Sequence, residues 1–153
     1  MAASVDRRVR RPSDKQDVLD ELSGEDGPFE ALRDVIVFAA ALGFSRGRSV
    51  PFDATGEPIR WDTMCNRRGT EVLVNMLSAA TAADDPQVLE DSRFEERILV
   101  FEEYANGGLE ILKSELGRSV VDPSELILKI VREASGPSLA LDAPNLASMV
   151  SDD

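Results

Sequence analysis

An all-α fold, a compact bundle of five or six helices, is what this sequence predicts, and three observations predict it. Apolar residues recur at three- and four-residue spacing, as in Phe29, Leu32, Val35, Ile36, Ala39, Ala40 and Leu42, the period of a helix with one buried face. Ser13 with Gln16 and Ser92 with Glu95 are capping-box pairs, and Gly43 and Gly117 stand where helices should stop. Only residues 44–61 lose the period: Pro51, Pro58, Gly47 and Gly56 make this an irregular insert. The chain has 153 residues, 42% hydrophobic and 30% charged, enough for one domain with a real core.

In order, residues 1–12 read as a flexible basic arm, 13–134 as a single helical domain, and 135–153 as a tail, disordered or folding on a partner. A short helix runs from Ser13 to about Ser23, and Gly24–Gly27 is a turn. Pro28 then takes the first position of a helix over 28–43, apolar nearly all round in its second half and so the central core helix. The insert is an ordered loop with short extended pieces, Ile59-Arg60-Trp61 among them; a two-strand ribbon within it has weak support. A helical turn near Asp62–Asn66 leads into a helix over 70–82, whose apolar residues Val72, Val74, Leu77 and Ala80 are irregularly spaced. After a turn at 87–91 comes the longest helix. Its seam of Phe94, Ile98, Phe101, Ala105, Leu109, Leu112 and Leu116 passes straight through Gly107-Gly108. Two interior glycines cost about 1 kcal/mol each, yet the unbroken seam predicts one helix, bent if anywhere at the pair. Part of that seam is also a candidate homodimer contact. Asp122-Pro123 opens a last helix to about Glu133, burying Leu126, Ile127 and Ile130.

Composition removes most familiar chemistry. There is one cysteine and no histidine, so structural zinc, a disulfide framework and a histidine-assisted nucleophile are all excluded. No cofactor signature is present, and enzymatic activity is not expected. Cys65 precedes Arg67-Arg68, whose charge would activate a thiol; without a base, a buried or incidental thiol is the stronger reading. Glu95, Glu96, Glu102 and Glu103 recur at i and i+7 on the long helix. They read as a solvated acidic face suited to protein docking, with an all-carboxylate magnesium site the weaker alternative. The basic N-terminus is not followed by the apolar stretch of a secretory signal. The longest apolar run, Val35 to Leu42, is far short of the roughly 20 residues a membrane span needs. A cytoplasmic protein is expected, and the lone cysteine fits a reducing compartment.

Charge is unevenly spread. Seventeen basic residues face 29 acidic ones for a net −12, yet two basic islands stand out. One is the arm with Arg7, Arg8, Arg10 and Arg11; the other holds Arg46, Arg48, Arg60, Arg67 and Arg68. Arg67 and Arg68 lie just before a helix N-terminus, where backbone N–H groups favour an anion. Arg46 and Arg48 flank a glycine, and Arg60 neighbours Trp61. If the insert folds back on that helix start, the five arginines form one phosphate-binding patch, which the arm would extend onto duplex DNA. The net charge repels a phosphate backbone everywhere else, so DNA contact is expected only within a larger complex. Pairing of these arginines with the many acids is the alternative.

Several stretches carry a resemblance: Asp6-Arg-Arg-Val-Arg-Arg-Pro12, Gly27-Pro-Phe-Glu30, Val35 to Phe44, Gly56-Glu-Pro-Ile-Arg-Trp61 and Phe94 to Glu110, with its unusual Phe101-Glu-Glu-Tyr-Ala-Asn-Gly-Gly108. Over about residues 6–117 the sequence resembles the fourth Dnd-system-associated protein family, named for DNA phosphorothioation. The resemblance implies work beside prokaryotic modification or restriction systems that replace a non-bridging phosphate oxygen of DNA with sulfur and use the mark in antiviral defence. It carries no catalytic residues. The expected function is a non-enzymatic accessory or adaptor subunit whose partners are other proteins of such a system. A DNA-contacting reader of the mark is the second reading. An acidic DNA mimic that restrains the system's nuclease, with the acids of 84–110 as its row, is the third.

Overall fold

The computed structural model describes residues 6–135; residues 1–5 of the basic arm and the tail from 136 lie outside them. The described residues form helices α1 (Gln16–Leu22), α2 (Leu32–Ser45), α3 (Trp61–Met64), α4 (Thr70–Thr81), α5 (Phe94–Arg118) and α6 (Pro123–Ser135), with 3-10 turns at Ser13–Lys15, Pro86–Leu89 and Asp91–Arg93. The only sheet among them is a two-residue ribbon, β1 (Arg8–Val9) against β2 (Ile59–Arg60). The all-α architecture is therefore as expected.

At the centre α2 crosses α5, with α4 packed on α5, α1 on α2, and α6 along α5. The seam of α5 is filled from within the chain. Phe94, Ile98, Phe101, Ala105, Leu109 and Leu112 are all buried, against Leu19, Leu22, Val35, Ile36, Ala39, Val74 and Leu126 of the same core. Those residues are not exposed for a dimer contact.

The glycine pair explains itself by packing. α5 is one helix of 25 residues through Gly107-Gly108. A Cβ on Gly108 would land on the Ala39 carbonyl of α2, and one on Gly107 on the backbone of Arg48. Gly43 of α2 has no room either, facing the Tyr104 carbonyl and the Gly108 nitrogen. The two helices thus meet backbone to backbone, which only residues without a side chain permit. Gly43 is accordingly not a stop: α2 runs on to Ser45 and turns at Gly47, whose φ is +64°.

Two further boundaries differ from those predicted. α2 begins at Leu32 rather than Pro28, because Phe29 pairs with Ser23 and donates its N–H to the Leu22 carbonyl at 3.0 Å. That bridge holds Phe29 outside the helix, and its ring packs on Phe38 at 5.4 Å. The basic arm is part of the domain from Arg7 onward. Val9 is fully buried, β1 pairs antiparallel with β2 in the register Arg8–Arg60 and Val9–Ile59, and Pro12 bridges Thr55. The ribbon of the insert therefore has the arm, 50 residues away in sequence, as its second strand.

Candidate functional site

Each of the nine arginines proposed for phosphate contact can now be placed, and they do not make one patch. Arg67 reaches back to Glu30 at 2.7 Å and Asp34 at 3.2 Å, at the start of α2. Arg46 and Arg48 lie past the other end of α2, roughly 18 Å along its axis from Asp34. There Arg48 binds Glu110 at 2.8 Å and Arg46 approaches Glu133 at 4.0 Å. Arg60 sits on the ribbon opposite Arg8, and each like charge has its own acid, Asp62 at 3.5 Å and Asp6 at 2.7 Å. Arg7 stacks on the Phe94 ring at 3.9 Å, and Arg11 donates from Nε to the Glu57 carbonyl. Arg10 donates from its backbone N–H and its guanidinium to Glu102 and lies over Phe52. Only Arg68 of the nine makes no hydrogen bond, ion pair or ring contact among the described residues; it is exposed and solitary.

The acidic face needs the same correction. Glu95 and Glu96 are exposed, with Glu96 turned to Arg93 at 2.8 Å, and Glu103 is half-buried. Glu102 is 3% exposed and closed over by the arm through Arg10, so it faces no partner. Burial pushes its carboxyl above the usual glutamate range, and the bonds from Arg10 pull the other way.

Glu102 belongs to a tie that the sequence does not advertise. Lys15, 3% exposed, gives its ammonium to the Asn106 Oδ1 at 3.1 Å and to Asp14, while the Asn106 Nδ2 donates to the Val50 carbonyl at 3.1 Å. Val50 in turn donates to the Glu103 carbonyl at 3.0 Å. Tyr104 meets Phe44 edge-on and shares a hydrogen bond with Thr81 at 3.1 Å, and Phe101 and Ala105 are core. Every residue of Phe101-Glu-Glu-Tyr-Ala-Asn-Gly-Gly108 thus receives the arm, the insert, α2, α4 or the core. The string is a packing hub. A further buried cation, Arg97, is held by the Val88 and Glu90 carbonyls at 2.6 and 2.8 Å and fixes the turn before α5.

Nothing here concentrates reactive groups. No group of three or more His, Cys, Asp and Glu among the described residues is placed to hold a metal ion. The polar cleft of about 410 Å³ lined by Asp14, Lys15, Arg48, Glu110 and Lys113 has its cations already held, Lys113 by the Asp14 carbonyl and Asp17. Cys65 lies in the turn after α3, and its thiol is pushed up by burial, then by Glu71 and Asp62, not lowered by Arg67 and Arg68. We expect Cys65 to alkylate more slowly than free cysteine at neutral pH, its rate still climbing above the ordinary thiol pKa. Iodoacetamide labelling followed by mass spectrometry against pH reads this directly; labelling faster than free cysteine would contradict it.

A small helical domain, negatively charged, with eight of the nine arginines of its basic islands engaged internally and no reactive cluster in view: this is the class the fold and its surface define. The chain belongs to the family of DNA sulphur modification system-associated protein 4, whose sequence model matches residues 8–146. The resemblance drawn from the sequence is confirmed, and the match extends through α6 into the tail. No curated protein and no solved structure matches the chain. No helix of the described residues is long and apolar enough to cross a membrane.

Proposed function

We propose that this protein is a non-enzymatic accessory subunit of the DNA sulphur modification system, acting in the cytoplasm by docking on another protein of that system. One observation carries the reading: eight of the nine arginines nominated for phosphate are engaged with acids, a carbonyl or an aromatic ring of their own chain. A duplex would have to break those contacts while meeting a net charge of −12. What the surface offers outward is negative charge, which favours a basic protein and speeds association with it. The row of acids from 84 to 110 does not carry the DNA-mimic reading. Of its nine acids, Glu102 is buried, Glu110 is tied to Arg48, and Asp85 and Glu96 share Arg93. A mimic needs its carboxylates free at phosphate-like spacing.

The test is an electrophoretic shift with plain and phosphorothioated duplexes. The expected result is no shift at physiological salt with either. A shift on either duplex that disappears in R67E/R68E would overturn the docking reading in favour of direct DNA contact.

A further inference from the structure

The irregular apolar spacing of α4 has a structural meaning: the helix is apolar on two opposite sides. Thr70, Val74, Leu77 and Ser78 face inward and are buried. Val72 and Met76 face outward, 61% and 62% exposed, with Ala79 and Ala80 exposed beside them and Ala83 just past the helix end. At 100° per residue the four on the helix fall within a stripe about 100° wide, opposite the buried one. The core uses only the inner side. A continuous exposed apolar stripe is the mark of an interaction surface.

The exposed charges around it are mostly acidic, Arg68 just before the helix start being the exception. From Glu71 to Ser92 the chain carries five acids and no lysine or arginine. Glu71, Asp84, Glu90 and Asp91 are exposed and make no ion pair among the described residues, while Asp85 is turned to Arg93. The exposed apolar side of α6 is different: Leu128 and Val131 are interleaved with Glu125, Lys129 and Arg132, of mixed sign.

We infer that the outer face of α4 is the docking surface of this protein, and that its occupant is an apolar surface edged with lysine and arginine on another protein of the DNA sulphur modification system. The inference rests on the accessory-subunit reading and moves the contact from the acids of α5 to α4. Charge complementarity selects the partner. A second copy of this chain would set the same acids against each other.

The experiment measures binding of the full chain to each purified protein of the system in turn by calorimetry, with three double variants. V72S/M76S removes the stripe, E71K/D84K reverses the rim, and E95K/E96K alters α5; circular dichroism checks that each folds. V72S/M76S and E71K/D84K are expected to weaken binding about tenfold or more, whereas E95K/E96K leaves it within about twofold. Binding lost in E95K/E96K but intact in V72S/M76S would overturn the α4 surface and leave the accessory role standing. Self-association of the wild type that V72S/M76S abolishes would make a second copy the occupant and equally overturn it. A wild type that binds none of these proteins would overturn the accessory role itself, and the inference with it.

Discussion

Gly108→Ala is expected to destabilise the protein by about 3 kcal/mol, a fall in Tm of about 10 °C. The added methyl gains up to about 1 kcal/mol of helix propensity, and that gain is overwhelmed. It would land on the backbone of α2 at Ala39, where no rotamer change relieves the overlap, so α2 and α5 must separate along the central crossing. Gly117→Ala in the same helix is the control. Nothing lies within 4 Å of its Cβ position and its φ is not positive, so that variant should gain up to about 1 kcal/mol. Thermal melts of the two variants decide it; equal and small effects would contradict the backbone-to-backbone crossing.

Arg10→Ala should cost about 2 kcal/mol at neutral pH. Removing one member of a buried pair typically costs about 3–5 kcal/mol, and the half-exposed Arg10 side chain warrants a discount for solvent screening. The loss falls mainly on Glu102, left ionised and buried. Its carboxyl, already raised by burial, rises further when the Arg10 guanidinium goes, although the backbone N–H of residue 10 still donates to it. A raised folded-state pKa means that the folded protein binds the proton more tightly than the unfolded chain. The penalty is full above the folded pKa and shrinks as pH falls through it toward the ordinary glutamate value. The deficit of Arg10→Ala against wild type should therefore narrow on acidification, and Glu102→Gln added to it should recover part of the loss at pH 7. Denaturant titrations over a pH series measure both. A deficit constant with pH would show that Glu102 does not carry the effect.

Where helices lie was legible because periodicity is a local property. The α5 seam announced itself across Gly107-Gly108, and α6 and α4 began within a residue of their expected starts. What escaped was non-local. Gly43 reads as a stop signal until α5 is placed beside it. Arg8–Val9 carries no sign that its partner is Ile59–Arg60, and without that ribbon the arm reads as loose. Glu102 obeys the same i, i+7 spacing as its exposed neighbours, and only the arm lying across it makes it a buried anchor. The arginine islands mislead for the same reason: sequence shows a cluster of bases, while the fold sends all but Arg68 to separate acids, a carbonyl or an aromatic ring. The irregular stripe on α4 was visible in the sequence, but its two-sided meaning needed the burial of Val74 and Leu77 beside the exposure of Val72 and Met76.

The most direct measurement of the central claim is the mass of the species formed when the purified chain is mixed with each other protein of the DNA sulphur modification system, read by light scattering at low and high salt. The account predicts a defined complex with one of them that weakens as salt rises. A 16.7 kDa monomer beside every one of those proteins at both salt concentrations would contradict it.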